Sequence, residues 1–369
     1  MISENISNRH LCPGLRELTW VARSYPLNRL FLSPHLTKFC FQPPPFFSHI
    51  PGEVLSNLAP VITELPTSSL QSLRIDAPPW DVPSSISLRS AVSSAVLRCG
   101  SSLSILCVTA PLSDAAVQHI MRLPNLATWR AWNGPPMVSI SSLSDAFPRL
   151  EILDLHVEAS LKWLPLFEAV ARQSSPEQGA HVQSYCGPGK KLTKLQLRVE
   201  VSVDISLISP ITVFRGLVVL GMQSSCRSTS GCTFGLTDGD ITRFATALPN
   251  LEDVSFGQVC PANSCLTTVS SLLILSTRCK NLKCLEIHFN TTNLRGNLES
   301  MAQNPRLRDS YGLPRCQLGT QLLVSHAPLL LLIEEGDHEP VLAGFLDIFP
   351  SLGGFFGQSV SWAELDSML

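Results

Sequence analysis

Four cysteines in the second half of the chain have a spacing that could hold a zinc ion. Four residues separate Cys260 from Cys265, another four separate Cys279 from Cys284, and thirteen lie between the two pairs. Four thiolates arranged as a tetrahedron are a common structural zinc site. However, Cys284 falls inside a strand-like pattern of leucines, and Cys279 falls at the end of a helical pattern. We therefore expect structural cysteines and assign no metal ligand, with the zinc site as the alternative.

Carboxylates that stand two residues from a histidine are a second candidate for chemistry. Asp154 precedes His156, and Glu286 precedes His288, each pair on one side of a strand-like segment. A carboxylate beside an imidazole can act in acid–base catalysis. No nucleophile or glycine-rich oxyanion loop accompanies either pair, so we expect these side chains to be the polar face of a sheet.

Two other motifs are weaker. Asp238 and Asp240 could bind a cation, but their place at a predicted helix start favours helix capping and interaction with the helix dipole. The glycine-rich residues 353–357 lack the capped helix that a phosphate-binding loop needs. The sequence contains none of the motifs G-x-G-x-x-G, G-x-x-x-x-G-K-[ST], H-E-x-x-H or G-x-S-x-G. We predict no catalytic residue, no cofactor and no enzyme activity; a metal-binding or hydrolytic enzyme is the alternative.

A short leucine pattern, L-x-x-L-x-L with substitutions, recurs along the chain. The elements that it predicts would hold the candidate cysteines, carboxylates and histidines in place. Its clearest copies start at intervals of about 21 to 42 residues. Weaker copies start at Leu329 and Leu352. The short intervals match leucine-rich repeats, in which neighbouring repeats stack because none can bury its apolar side alone. The clear copies start at Leu15, Leu36, Leu70, Leu103, Leu126, Leu150, Leu192, Leu217, Leu251 and Leu282.

Helical patterns occupy several gaps between these copies. Apolar residues recur at helical spacing over residues 88–97, 159–170 and 266–275. A Ser-Asp pair at 113–114 and a Thr-Asp pair at 237–238 predict two helix starts, and each helix is followed by a Leu-Pro-Asn-Leu sequence. Strand and helix therefore alternate, which predicts an α/β fold with a parallel sheet.

Composition narrows the class of protein. Hydrophobic residues make up 44% of the 369 positions, charged residues 15%, and the formal net charge is −2. The chain can bury a sizeable core, and it has no basic patch for nucleic acid or an anionic membrane. The start lacks a secretory signal, and no apolar run is long enough to span a bilayer. The twelve cysteines have no disulfide framework, so we predict an intracellular protein, cytoplasmic or nuclear.

We predict one irregular leucine-rich-repeat solenoid over residues 1–369, a horseshoe with parallel strands on the concave face and helices on the convex face. Residues 174–191, rich in glycine and polar residues, are expected to form an exposed insertion loop. The concave face is the candidate surface for binding another protein, because alternation along each strand turns polar side chains outward. Its candidate binding residues are Arg130, Asp154, His156, Lys194, Gln196, Arg198, Glu252, Asp253 and Ser255; Thr128, Glu151, Glu286 and His288 lie on the same predicted face.

The sequences that open the repeats carry a resemblance. Leu-Pro-Asn-Leu at 123–126 and 248–251, Phe-Pro-Arg-Leu at 147–150 and Cys-Lys-Asn-Leu at 279–282 are similar to those of fungal F-box proteins. The C-terminal part of that family is a degenerate leucine-rich-repeat array. The Leu-Ser-Asp and Leu-Thr-Asp helix openings are similar to that family as well.

The resemblance implies a substrate-recognition subunit of a cullin-type ubiquitin ligase. In that family an N-terminal F-box docks on the ligase adaptor, and the repeats hold a protein substrate. Here the repeats begin by Leu15, and no F-box residue is assigned. Expected partners are therefore a protein substrate and the ubiquitin-ligase adaptor and cullin, with a stand-alone repeat scaffold as the alternative.

Overall fold

The computed structural model of the chain places its residues in two compact units. The first comprises residues 1–157 and 165–192, and the second residues 158–164 and 193–369. A single array over 1–369 stays a prediction, and the predicted insertion at 174–191 lies outside the described residues. The structure describes residues 11–21, 31–42, 52–76, 85–131, 147–157, 192–199, 209–224, 235–258, 266–268, 270–287, 321–324 and 355–357.

The first unit contains six described strands that pair in chain order, each parallel to the next. From the second strand to the fifth, a helix lies between each pair of consecutive strands, and α2 packs against both α1 and α3. The strands are β1 (Glu17–Val21), β2 (Lys38–Gln42), β3 (Ser72–Ile75), β4 (Ile105–Val108), β5 (Thr128–Ala131) and β6 (Ile152–Val157), and the helices are α1 (Gly52–Thr63), α2 (Ser85–Arg98) and α3 (Asp114–Arg122).

The second unit repeats this plan. Its described strands also pair in chain order and in parallel, and α4 packs against α5. A short 3-10 helix is described between its first two strands. The elements are β7 (Lys194–Val199), the 3-10 helix (Ser209–Val213), β8 (Val219–Ser224), α4 (Asp238–Ala247), β9 (Asp253–Gln258), α5 (Ser270–Arg278), β10 (Cys284–Ile287), β11 (Gln321–Val324) and β12 (Phe355–Gly357).

The predicted α/β class with parallel strands is confirmed, and the leucine pattern located the strands closely. Each of the ten clear copies is followed by a strand that begins two residues after its first leucine. The weaker copy at Leu352 precedes β12. The copy at Leu329 lies outside the described residues, and β11 begins at Gln321, which the pattern did not indicate.

Alternation along the strands builds the core. The second residue of each strand from β2 to β6 is fully buried, and so are its counterparts in β7 to β10. Successive side chains of a strand point to opposite faces, so one face is apolar and the other carries the intervening residues. These buried second residues are Phe39, Leu73, Leu106, Trp129, Leu153, Leu195, Leu220, Val254 and Leu285.

The predicted caps of α3 and α4 are confirmed. The Ser113 hydroxyl accepts a hydrogen bond from the Ala116 N–H at 3.3 Å. Thr237 and Asp240 form a reciprocal capping box, in which each side chain accepts from the other residue's N–H. The helical pattern at 88–97 lies within α2. The helix α1 was not predicted from the sequence. The helical pattern at 159–170 lies outside the described residues.

Side chains just before the strands tie each repeat to the one before it. Asn125 donates to the Ser101 carbonyl at 2.8 Å, and Asn250 donates to the Arg215 carbonyl at 3.0 Å. Ser102 makes the same kind of bond to the Leu70 carbonyl at 2.8 Å. These residues all stand immediately before the first leucine of a repeat. The Leu-Pro-Asn-Leu sequence therefore has a structural role, because its Asn satisfies a carbonyl of the preceding turn.

Candidate functional site: the strand face of each unit

The candidate site in each unit is the face of the sheet that does not enter the core. We call it the strand face; its entrance row is formed by the first residues of the strands and its middle row by the third residues. In the first unit the entrance row is Glu17, Lys38, Ser72, Ile105, Thr128 and Ile152, and the middle row is Thr19, Cys40, Arg74, Cys107, Arg130 and Asp154.

Three predicted binding residues lie together on the first unit's strand face. Arg130 and Asp154 are direct neighbours in the middle row, and His156 follows two residues later on β6. The Nε atom of Arg130 is 3.9 Å from the nearer carboxylate oxygen of Asp154. That distance allows electrostatic attraction but is too long for a hydrogen bond.

Five predicted residues lie on the second unit's strand face. Lys194, Gln196 and Arg198 alternate along β7, and Asp253 and Ser255 occupy the matching rows of β9. Between Gln196 and Ser255 the middle row holds Gly221, and the Gln196 side chain lies against it: a Cβ built there would be 3.3 Å from Gln196 Cγ.

Glu252 differs from the other predicted residues, because it precedes β9 and does not belong to either row. Its carbonyl accepts the N–H groups of both Lys283 and Cys284, and its carboxylate accepts from Lys283 Nζ at 2.6 Å. Its N–H donates to the Val218 carbonyl at 2.8 Å, so Glu252 joins the repeats on both sides of it. Glu286 lies in β10, and His288 lies outside the described residues.

Sequence reasoning missed three residues of the first unit's strand face. Arg74 Nε donates to Asp76 at 2.5 Å, and this hydrogen bond raises the pKa of the guanidinium. Ile105 is an apolar side chain that remains 39% exposed, and Cys107 stands between the two arginines of the middle row. Counting two and four residues on from each repeat's first leucine would have found all three.

Four of the six thiols in the described residues are poorly suited to nucleophilic or metal chemistry, because burial raises their pKa. Burial raises the pKa of Cys40 and Cys107, although the charge of Arg74 acts in the opposite direction on both. Burial raises the pKa of Cys279 to about 12, and its thiol faces the Leu248 carbonyl. Zinc binds the thiolate, which such burial disfavours. Of the other proposed zinc ligands, Cys284 is half-buried in β10, while Cys260 and Cys265 lie outside the described residues.

The buried thiols predict a loss of stability in alkali. Cys279 and Cys99 both have a folded-state pKa of about 12, above the ordinary 9.0, because burial disfavours the thiolate. The stability they contribute is complete below about pH 9 and is lost as the pH rises toward 12, at about 1 kcal/mol per pH unit for each thiol. Urea unfolding between pH 8 and 10.5 should give a shallower decline for Cys279→Ala than for the unchanged chain. Parallel declines would contradict the prediction.

The other proposed sites have structural explanations. Asp240 belongs to the capping box, and Asp238 accepts hydrogen bonds from Thr268 and Ser271. Of the glycine-rich residues 353–357, residues 355–357 pair with β11 in a parallel strand, and residues 353 and 354 lie outside the described residues. Within the described residues, no three side chains of His, Cys, Asp or Glu are grouped so that they could hold a metal ion.

Comparison with known proteins adds no family. The chain matches no protein-family model, and no curated protein matches it in sequence. In the part of the chain that the structure describes, no helix is both long and apolar enough to cross a bilayer.

Proposed function

We propose that this chain is a protein-recognition module that binds its partner on the strand face. Its architecture in this proposal is an irregular leucine-rich-repeat solenoid, with strands on the concave side and helices on the convex side. The observation that carries the proposal is the composition of the first unit's strand face, where charged, polar and apolar side chains stand side by side in register. Such mixed surfaces suit protein partners.

The charge pattern argues against a nucleic-acid partner. Three cations at the strands have carboxylates beside them: Lys38 Nζ lies 2.6 Å from Glu17, Lys283 Nζ lies 2.6 Å from Glu252, and Arg74 is bonded to Asp76. A nucleic-acid surface needs a series of cations that are free to meet phosphates, whereas of the two arginines in the first unit's middle row only Arg130 lacks a hydrogen-bonded carboxylate at Nε.

In the proposal the chain is the substrate-recognition subunit of a cullin-type ubiquitin ligase and acts by binding alone. Support comes from the resemblance of its repeats to F-box leucine-rich-repeat proteins and from the raised pKa of its buried thiols. The compartment in this proposal is intracellular, either cytoplasmic or nuclear. Six free cysteines among the described residues, three of them buried, fit a reducing environment.

The test is affinity capture from cell lysate with the full chain and two variants. Thr128→Arg places a bulky charge on the entrance row, whereas Ala115→Arg places the same residue on the exposed side of α3. Mass spectrometry should recover the ligase adaptor and cullin with all three chains. Substrate proteins should be retained with Ala115→Arg and lost with Thr128→Arg.

Other outcomes would correct the proposal in different ways. Capture that depends on Thr128 but lacks adaptor and cullin would mean a stand-alone repeat scaffold without a ubiquitin role. Capture that is the same for all three chains would mean that the strand face of the first unit is not the recognition surface.

A further inference from the structure

We propose that the first unit's strand face binds an extended peptide segment of its partner in which an Asp or Glu stands two residues from a large apolar side chain. The inference rests on the proposed function and specifies the chemistry of the partner. Arg130 would receive the carboxylate, and the entrance row around Thr128 would receive the apolar side chain.

The two arginines of the middle row differ in how completely they are paired. Arg74 has its own carboxylate, since its Nε donates to Asp76 at 2.5 Å. For Arg130, the Asp154 oxygen is 3.9 Å from Nε, and no acceptor in the described part of the chain hydrogen-bonds that atom. The Nε atom itself is buried, but the Arg130 side chain as a whole is 41% exposed, so a carboxylate from outside would meet the exposed part of the side chain rather than Nε. Arginine binds carboxylates through parallel hydrogen bonds, and this capacity is unused at Arg130.

Of the two neighbours of Arg130 in the middle row, only Asp154 carries a charge. Cys107 stands between the two arginines, and burial keeps its thiol neutral by raising its pKa. Asp154 is on the other side, beyond hydrogen-bond distance from Nε. An incoming carboxylate would therefore share the guanidinium with Asp154, and it would displace no hydrogen bond from Nε.

The entrance row contains an apolar strip, and this strip lies next to Arg130 of the middle row. Ile105, Thr128 and Ile152 are consecutive neighbours in that row. Ile105 is 39% exposed, and Thr128 and Ile152 are half-buried. A partner side chain laid on this strip would cover aliphatic groups, which favours a Leu, Ile, Val or Phe of the partner.

The spacing of the rows sets the spacing within the peptide. Thr128 and Arg130 are two residues apart on β5, which corresponds to roughly 7 Å along a strand. In an extended peptide that runs along the strands, side chains two residues apart share one side and have the same separation. An apolar residue over the strip thus places a carboxylate two positions away opposite Arg130.

The probe for this inference is a random peptide library displayed on phage and selected on the full chain. We expect enriched sequences with an apolar residue two positions from Asp or Glu. Fluorescence anisotropy with one enriched peptide should show about tenfold weaker binding to Arg130→Gln, because a charge-assisted pair is lost. Arg74→Gln is the matched control, and its affinity should stay within about threefold, because Arg74 is already paired.

A peptide with a modified acidic residue completes a double-mutant cycle with the Arg130 variant. Replacing its acidic residue by the corresponding amide should weaken binding to the unchanged chain about tenfold and have little further effect on Arg130→Gln. Should Arg130→Gln fail to fold, as judged by circular dichroism, Ile105→Ser supplies the second variant. It is expected to reduce binding of the same peptide because it removes an exposed apolar contact.

Three results would overturn the inference. They are an absence of enriched peptides, enriched peptides without an acidic residue, and equal sensitivity to Arg74→Gln and Arg130→Gln. Protein capture that still depends on Thr128 would, in each case, leave the proposed function standing. Loss of that dependence as well would mean that both are wrong.

Discussion

Replacing Phe147 by alanine should lower the free energy of unfolding by about 3–5 kcal/mol, as expected for a large buried aromatic side chain. Phe147 is 1% exposed, and its ring stacks on Trp129 with 5.4 Å between the ring centroids. Its N–H donates to the Met121 carbonyl at 2.7 Å, at the end of α3. The residue therefore joins the helix, the neighbouring strand β5 and the turn that leads into β6, and urea unfolding followed by circular dichroism measures the loss.

The backbone conformation of Phe147 leads to a second expectation, which concerns the relative stability of its glycine and alanine variants. Its φ angle is 58°, the left-handed region that costs a residue with a Cβ about 1–2 kcal/mol, and Pro148 follows it. Phe147→Gly should therefore be less destabilising than Phe147→Ala, although glycine removes more of the side chain. The difference should be below about 1 kcal/mol, because glycine also loses more chain entropy on folding.

Phe39 is the matched control for this comparison. It is fully buried in β2, where the backbone is extended and glycine has no advantage. At Phe39 the order should reverse, with glycine more destabilising than alanine by roughly 0.5–1 kcal/mol. The same order of alanine and glycine at both positions would mean that the left-handed backbone of Phe147 stores no measurable strain.

Strand positions could be predicted from sequence because each strand carries its own signal. The alternation of leucines and the turn before them are both local, so residues 150–155 predict β6 without knowledge of any partner strand. The helix α1 was missed because Pro60 lies inside it, and proline usually indicates a break. The strand β11 was missed because the leucine-rich stretch after it matched the pattern better.

The strand face was predicted in position but not in its pairing. Arg130 and Asp154 were placed on one face by alternation, and the structure makes them neighbours. The contrast between Arg74 and Arg130 could not be predicted, since it depends on whether a carboxylate side chain reaches a guanidinium. Asp76 hydrogen-bonds Arg74 from two positions further along the chain, just after β3 ends, whereas Asp154 lies on the next strand and its nearer oxygen is 3.9 Å from Arg130 Nε.

In the second unit, the hydrogen bonds of Asp238 could not be predicted either, because its partners are far away in the sequence. The sequence predicted that it caps its own helix, but Thr237 and Asp240 do that. Its carboxylate instead accepts the Thr268 N–H at 2.8 Å, the Thr268 hydroxyl at 2.6 Å and the Ser271 hydroxyl. The Thr268 hydroxyl oxygen in turn accepts from the Ser270 N–H at the start of α5. Asp238 thus holds the residue that caps the next helix, which begins at Ser270 rather than at the predicted 266.

Replacing Asp238 by alanine should therefore destabilise the chain by about 2–4 kcal/mol. Three donors lose their acceptor together, and one of them belongs to Ser271, which is fully buried. A buried donor without a partner costs about 1–3 kcal/mol, and a bond to a carboxylate is stronger than a neutral one. Asp238→Asn keeps one acceptor oxygen without the charge and should fall between alanine and the unchanged chain. The measurement is urea unfolding at neutral pH, with ellipticity followed at 222 nm.

Asp240→Ala is the control, because it removes a carboxylate from the same turn of the same helix. Asp240 serves only the capping box in this region, an exposed cap whose loss costs about 1 kcal/mol. Asp238→Ala should exceed it by at least twofold, because it disturbs the start of α5 as well as α4. Equal losses for the two variants would show that the bonds from Asp238 to Thr268 and Ser271 add little. The start of α5 would then depend on burial of Leu272 and Leu275 in the core rather than on its cap.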